Sequence, residues 1–289
     1  MAKQVSLKTG CKVNLGLRIT GVRKDGYHYI DSIFYPLPRP CDHIDILRSN
    51  KPGLRIKCCP PELEGTQNIL HKTYDIFAQS TNFSPGLKVF LQKNVPIGAG
   101  LGGGSANAAA MLLLLNRLCG SRGLPKGELI SLAAKIGGDV PFFIHNKPSR
   151  VRGIGETLSP VRLKLKGFKM LLICPGIHVD TAWAYRQWDL LQKKSVTDRT
   201  HSLTSTTTND KSSPLKDQLV LSNSFEVPVF RAFPEIGKIK TRMLENGAAA
   251  CVMSGSGSSL IAMFRDQKDV FRACAQLDRQ SCPYFFYIF

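Results

Sequence analysis

From Leu87 to Pro96 the chain reads LKVFLQKNVP, with apolar residues at 87, 89 and 91 and polar residues between them. That two-residue period predicts a half-buried strand. A glycine-rich loop follows, and then SANAAAMLLLLNRLCG (Ser105–Gly120), where small and apolar residues leave almost no polar face. Such a segment predicts a buried helix, with Ser105 near its start and Gly120 at its stop. In KGELISLAAKIGG (Lys126–Gly138) the apolar positions Leu129, Ile130, Leu132, Ala133 and Ile136 predict a second helix, closed by a Gly-Gly turn. FKMLLICPGI (Phe168–Ile177) is a short apolar run ending in Pro-Gly, as a core strand entering a loop would be. Strands and helices alternate through the C-terminal half, and PYFFYIF (Pro283–Phe289) predicts a terminal strand. Gln192–Gln218 breaks the pattern, being rich in Ser, Thr, Lys and Asp with almost no large apolar side chains. It cannot bury enough surface to offset its ordering entropy, which predicts a mobile surface loop.

The chain has 289 residues, 43% of them apolar, enough for two domains of about 130–150 residues each. The longest apolar runs, such as Ala108–Leu115, fall far short of the ~20 residues a membrane helix needs. Candidate functional residues begin at Lys12, so no signal or transit peptide is expected and the cytoplasm is the default location. Nine cysteines occur without a single C-x-x-C pair, and Cys58 and Cys59 are adjacent. They read as reduced thiols rather than as a disulfide or zinc framework. The net charge of +18 is spread over both halves with no long basic block. A dispersed excess favours anionic small ligands such as nucleotides and argues against a nucleic-acid interface.

PIGAGLGGGSANAAA (Pro96–Ala110) carries the candidate chemistry. Three phosphate-loop patterns compete for it and none fits. GAGLGG satisfies G-x-G-x-x-G, but no acid stands about 20 residues on. The V-A-I-K, H-R-D and D-F-G partners of a protein-kinase loop are missing. GAGLGGGS places Gly104 where a P-loop needs lysine. What the three share remains: consecutive unshielded N–H groups leading into a helix whose N-terminus is positive, an arrangement that binds phosphate.

Three further segments extend the pattern. GCKVNLGLRITGVRKDGYHYIDSIFYPL (Gly10–Leu37) sets Lys12 and Asn14 two apart on an apparent strand before the turn KDGYH. GGDVPFFI (Gly137–Ile144) isolates Asp139 between a helix and an apolar stretch, and CVMSGSGSSLIAMF (Cys251–Phe264) holds a second glycine-serine turn. In this order the Lys12 segment, the loop and MSGSGSS (Met253–Ser259) resemble the three signatures of the GHMP kinase superfamily. Within it, K-x-N-L with DGYH, GLGGGSxNAA and GGDVPFF resemble the branch acting on a cytidine-diphosphate-linked methylerythritol in the non-mevalonate isoprenoid route. The resemblance runs over nearly the whole chain.

That resemblance implies an α+β, two-lobed chain. Residues 1–155 would form the N-terminal GHMP domain with the phosphate loop and 156–289 the C-terminal domain, with the active site between the lobes. It implies transfer of the ATP γ-phosphoryl to the substrate's C2 hydroxyl. Asp139 takes the hydroxyl proton as general base, or only orients the hydroxyl, and Lys12 keeps Asp139 ionised and stabilises phosphoryl charge. The triphosphate would lie along Pro96, Gly98, Ala99, Gly100, Leu101, Gly102, Gly103, Gly104, Ser105 and Ala106, with Ile97 beside the loop at the adenine end. Ala99 stands where the family commonly has a third consecutive glycine, and Ala106 where serine is frequent; both keep their N–H donors. Asn68, Ile69 and Lys93 are implied at the adenine end. For the cytidine, Tyr27 and Tyr185 supply stacking rings, and His28, Thr181 and Asn14 supply polar contacts. Mg²⁺ accompanies ATP, held by phosphates and water with no protein ligand assigned. The partner is the CDP-linked polyol, for a protein expected to be a monomer or homodimer. The competing readings are a GHMP kinase for homoserine or mevalonate, against which DGYH argues, and a non-catalytic nucleotide or nucleic-acid binder. The presence of both Lys12 and Asp139 favours an enzyme.

Overall fold

The computed structural model describes residues 4–201, 221–278 and 285–289. The chain divides into two compact units, one of Met1–Asn14, Ile19–Ile97 and Leu101–Lys164, the other of Leu15–Arg18, Gly98–Gly100 and Leu165–Phe289. Two short pieces of the N-terminal stretch thus belong to the second unit, and residue 155 lies in the turn of a hairpin of the first.

The first unit runs β1 (Gln4–Val22), β2 (His28–Arg48), β3 (Leu54–Cys59), α1 (Ile69–Thr81), β4 (Leu87–Gln92), α2 (Gly103–Cys119), α3 (Lys126–Ile136), α4 (Val140–His145), β5 (Ser149–Gly153) and β6 (Thr157–Pro160). Its sheet has the order β3-β4-β2-β5-β6, with β1 paired to β2. The strand expected from Leu87 is β4, whose residues 87, 89 and 91 are buried as their alternation requires. It runs parallel to β3 and antiparallel to β2. α2 packs against α1, α4 and β2. Its Ala108, Ala109, Met111, Leu112, Leu114 and Leu115 are all buried, so the missing polar face is a consequence of neighbours on several sides. Burial of each Leu or Met contributes about 1.5–3 kcal/mol. The helix begins two residues before Ser105, with Gly102 as its cap.

The second unit contains β7 (Lys169–Cys174), α5 (Thr181–His201), α6 (Glu226–Ala232), α7 (Pro234–Glu245), β8 (Ala250–Met253), β9 (Leu260–Phe264), α8 (Gln267–Asp278) and β10 (Phe285–Ile288). Its sheet has the order β10-β7-β9-β8, so the expected strands from Phe168 and at the C-terminus pair side by side. The expected loop from Gln192 requires a correction: α5 continues to His201. Lack of apolar residues argues against burial, not against helix, and Gln, Lys and Arg are good helix formers once a helix is under way. The remainder of that stretch, 202–218, lies outside the described residues. No helix among the described residues is long and apolar enough to cross a membrane.

Candidate active site

In the first unit the site is built from the base of the glycine loop upward. Asp42, fully buried on β2, accepts hydrogen bonds at Oδ1 from the backbone N–H groups of Asn94 and Val95, both at 2.7 Å. Its Oδ2 lies 2.6 Å from Lys93 Nζ, which also donates to the Val95 carbonyl at 3.0 Å. Burial pushes the Lys93 ammonium below its ordinary pKa, and Asp42 pulls it back up. One carboxylate therefore holds the three residues that follow β4 and precede Pro96.

Beyond the loop, α2 starts at a glycine cap. Gly102 has φ +66°, a left-handed conformation that side chains disfavour. No side chain caps the helix, and its first backbone bond runs from Ala106 N to Gly102 O, 3.0 Å. The N–H groups of Gly103, Gly104 and Ser105 have no upstream helical carbonyl to bond, and the helix dipole is positive there. A Cβ on Gly103 would come within 2.8 Å of Lys93 Nζ and Val95 Cγ1, so the first turn sits directly on the strand end that Asp42 holds.

Lys12 runs beneath that cap. A Cβ on Gly102 would sit 3.2 Å from Lys12 Cγ and from the Phe143 ring. The lysine backbone N–H bonds the Leu101 carbonyl at 2.9 Å, and Thr9 on the same strand bonds Asn107 of α2 at 2.5 Å. These contacts fix β1 against the helix start. The Lys12 residue is 4% exposed, and its Nζ donates to Asn14 Oδ1 at 2.7 Å, lies 4.5 Å from the Phe34 ring centroid and is 3.5 Å from Asp139 Oδ2. Asn14 in turn donates to Ser32 Oγ at 2.8 Å. Asp139 precedes α4 yet makes no side-chain cap bond. Its side chain is 34% exposed, so the carboxylate faces both the ammonium and solvent.

Lys12, Asn14, Asp139 and the Gly102–Ser105 turn thus come together in one unit, and Ala106 closes the first helical turn from its buried side. Two residues expected at the adenine end also support the fold. Asn68 caps α1, its Oδ1 accepting from Leu70 N at 3.0 Å and its Nδ2 donating to Leu63 O at 2.8 Å. The Lys93 ammonium is committed to Asp42 and Val95. The polar atoms of both thus have partners within the fold, supplied by tertiary contact, and the Lys93 ammonium keeps a third donor beyond those two. Ile69 approaches the site through its side chain, which a Cβ on Gly104 or Gly137 would meet at 3.9 Å, and Ile97 is 52% exposed. Tyr27 projects from the turn between β1 and β2 with 61% exposure. Arg23 and Asp25 stiffen that turn through a two-bond pair of 2.5 and 3.1 Å, which lowers the Asp25 pKa. Adjacent His28 is half-buried.

The second unit holds the remaining residues. Gly98 and Gly100 have φ of +65° and +75°, and a Cβ on them would strike the His178 ring at 1.9 Å and the Ser254 carbonyl at 2.1 Å. Ser254 Oγ donates to Gly100 O at 3.0 Å and Ser259 N to Ala99 O at 3.3 Å, so this piece of the loop is stitched to the Met253–Ser259 turn. Thr181 and Ser256 share a hydroxyl contact of 2.9 Å. The Tyr185 ring packs edge-on against Phe225, with centroids 4.8 Å apart. Asp42, Ser32 and Phe34 escaped the sequence reading. Ser32 and Phe34 share one strand face with His28 at period two, a signal present in HYIDSIF, whereas nothing local marks Asp42.

Family models described as GHMP kinases N terminal domain and GHMP kinases C terminal match residues 68–147 and 212–283. A protein of Nitratidesulfovibrio vulgaris called 4-diphosphocytidyl-2-C-methyl-D-erythritol kinase is 46% identical over 277 residues, 96% of each chain. One of the same name from Lawsonia intracellularis is 43% identical, covering 90% of this chain and 88% of its own. Among solved structures, a crystal structure of 4-(cytidine 5'-diphospho)-2C-methyl-D-erythritol kinase superposes with a TM-score of 0.75 at 28% identity, covering 98% of both chains.

Proposed function

The chain belongs to the GHMP kinases, and from that membership we infer that it transfers the γ-phosphoryl group of ATP to the 2-hydroxyl of 4-diphosphocytidyl-2-C-methyl-D-erythritol, a step toward isoprenoid precursors. The observation that carries the reading is the buried Lys12 ammonium, 3.5 Å from Asp139 and directly beneath the glycine cap of α2.

The free N–H groups of the α2 start and the positive end of its dipole suit phosphate oxygens, and the left-handed Gly102 lets backbone approach them without a Cβ between. Lys12 is held by Asn14 and largely stripped of water, so its charge acts in a low-dielectric setting where it counts for more. In transfer, the substrate hydroxyl oxygen forms a bond to the γ-phosphorus as the bond to the ADP oxygen breaks. The hydroxyl proton passes to Asp139, whose carboxylate has no capping duty to compete. Mg²⁺ would accompany ATP, held by phosphate oxygens and water with the Ser105 hydroxyl at the loop as a hard oxygen donor, and would neutralise phosphate charge. Tyr27 offers an exposed ring for the cytosine, with His28 beside it for the pyrimidine edge. On the second unit, Tyr185, Thr181 and the Gly98–Gly100 backbone are assigned to the same ligands. Ile69 and Ile97 are assigned to adenine as apolar contacts, with Asn68 and Lys93 as the polar groups beside them. We place the protein in the cytoplasm as a monomer or homodimer, its dispersed positive charge serving anionic nucleotides rather than nucleic acid.

Incubation with ATP and the CDP-linked alcohol, followed by phosphorus NMR, should give a new phosphomonoester resonance together with ADP. Turnover of homoserine or mevalonate instead would refute the substrate assignment. Asp139→Asn should lower turnover by about 10²–10⁴-fold, roughly 3–5 kcal/mol of barrier, with the KM for ATP unchanged. Wild-type turnover in that variant would remove Asp139 from the proton-accepting role.

A further inference from the structure

On the first unit a cavity of about 750 Å³, lined by neither Lys12 nor Asp139, opens between the start of β1, the bend of β2 and one face of α2. Small-ligand sites typically enclose about 300–1,000 Å³. Its lining includes Lys8, Arg39 and His43 but neither Asp nor Glu, and the α2 residues Ala106, Ala109 and Ala110 form part of its apolar floor. Such a lining suits an anion with a modest apolar body.

The cavity also contains a thiol–imidazole pair. Cys41 Sγ lies 3.8 Å from His43 Nε2, and both side chains are half-buried and line the opening. Positions 41 and 43 share one face of β2, so the pair is set by the strand period. The other described cysteines differ. Cys11, Cys58, Cys119, Cys174, Cys251 and Cys274 are buried, and Cys59, though exposed, does not line this cavity. Burial pushes Cys174 to about 11 and Cys251 to about 12, away from the thiolate form.

Between the pair stands Asp42, the residue that holds Lys93, Asn94 and Val95 at the root of the glycine loop. The Cys41 carbonyl accepts from Asn94 Nδ2 at 3.0 Å, and Ala106 of the cavity floor lies in the first turn of α2. Asp42 faces the other side of β2 and does not line the cavity, so a group seated here reaches the phosphate-binding turn through the Cys41 carbonyl–Asn94 bond and through Ala106.

We propose that this cavity takes anionic low-molecular-weight disulfides of the glutathione class, and that Cys41 is thereby converted to a mixed disulfide that weakens ATP binding. The Cys41 proton passes to His43 Nε2, and the thiolate attacks one sulfur of the incoming disulfide. A protein–glutathione S–S bond forms, the original S–S bond breaks, and one glutathione thiolate leaves with its electron pair. Thiolation itself is independent of the kinase assignment; only its effect on ATP rests on that reading.

The full chain, incubated with oxidised glutathione or with dicationic cystamine, is digested without reductant and mapped by mass spectrometry. Cys41 should carry the glutathione adduct about tenfold faster than Cys59, with oxidised glutathione outpacing cystamine and the gap closing in salt or in Lys8→Gln/Arg39→Gln. His43→Gln should slow the reaction. Cys41→Ser should abolish the adduct and keep basal turnover, whereas the thiolated wild type should show a raised KM for ATP that reductant restores. Cys59 reacting first, equal rates with cystamine, or an unaffected His43→Gln rate would overturn the site. An adduct on Cys41 with unchanged KM would overturn the coupling to the loop. A protein that thiolates at Cys41 but never phosphorylates the CDP-linked alcohol would refute the kinase reading and leave the site standing.

Discussion

Replacing Asp42 by Asn keeps the volume of the side chain and removes its charge. In the native chain the carboxylate is fully buried and meets three donors, the N–H groups of Asn94 and Val95 and the Lys93 ammonium. Asparagine can still accept at one oxygen, but its NH₂ replaces the oxygen facing Lys93, setting donor against donor. The ammonium, itself buried, loses its counter-charge. Removing one member of a buried pair costs about 3–5 kcal/mol. At roughly 2–4 °C per kcal/mol for a unit of this size, the thermal midpoint should fall by about 6–20 °C.

The loss should also depend on pH. Burial already depresses the Lys93 pKa and Asp42 opposes that, so the variant's folded-state value falls further below the unfolded one. Below the folded pKa both states hold the proton and the full cost applies. Between the folded and unfolded values the unfolded chain binds more protons, so stability rises with pH through that window. Urea titrations of wild type and Asp42→Asn across neutral to alkaline pH should show the gap narrowing as the pH climbs. Asp42→Asn/Lys93→Met should recover part of the loss at pH 7, because no charge is then left stranded. A variant within about 0.5 kcal/mol of wild type, or a gap that widens with pH, would refute the clamp.

Gly102→Ala places a Cβ at φ +66° against Lys12 and Phe143; it should cost about 1–2 kcal/mol of stability and raise the KM for ATP, as melting and steady-state kinetics would show. Tyr27→Ala should leave the melting temperature unchanged, the ring being largely exposed, and raise the KM for the CDP-linked substrate by about 5–150-fold, the equivalent of 1–3 kcal/mol of stacking. Asn68→Ala should lose about 0.5–2 kcal/mol of stability as a lost helix cap and raise the KM for ATP; an unaltered KM would remove the carboxamide from the nucleotide.

Much of this protein is legible along the chain wherever the cause is local. The alternation of Leu87, Val89 and Leu91 marks β4, and the unbroken apolar character of Ala108–Leu115 marks a helix with neighbours on several sides. The density of glycine before Ser105 announces bared amides at a helix start, because only glycine adopts φ near +66° without strain. Partner choice is different, since it depends on residues far apart in sequence. Asp42 and Lys93 are 51 residues apart and meet only because β2 and β4 are neighbours. Asn68 was legible as a polar residue near the loop but not as a cap whose donors and acceptors were already engaged. The Lys12 ammonium could not be read as buried, because Asn14, Phe34 and Asp139 enclose it from separate elements. Sequence determined which groups have the chemistry; tertiary structure decided how they are held, since a buried polar atom must find complementary partners and these come from elements far apart along the chain.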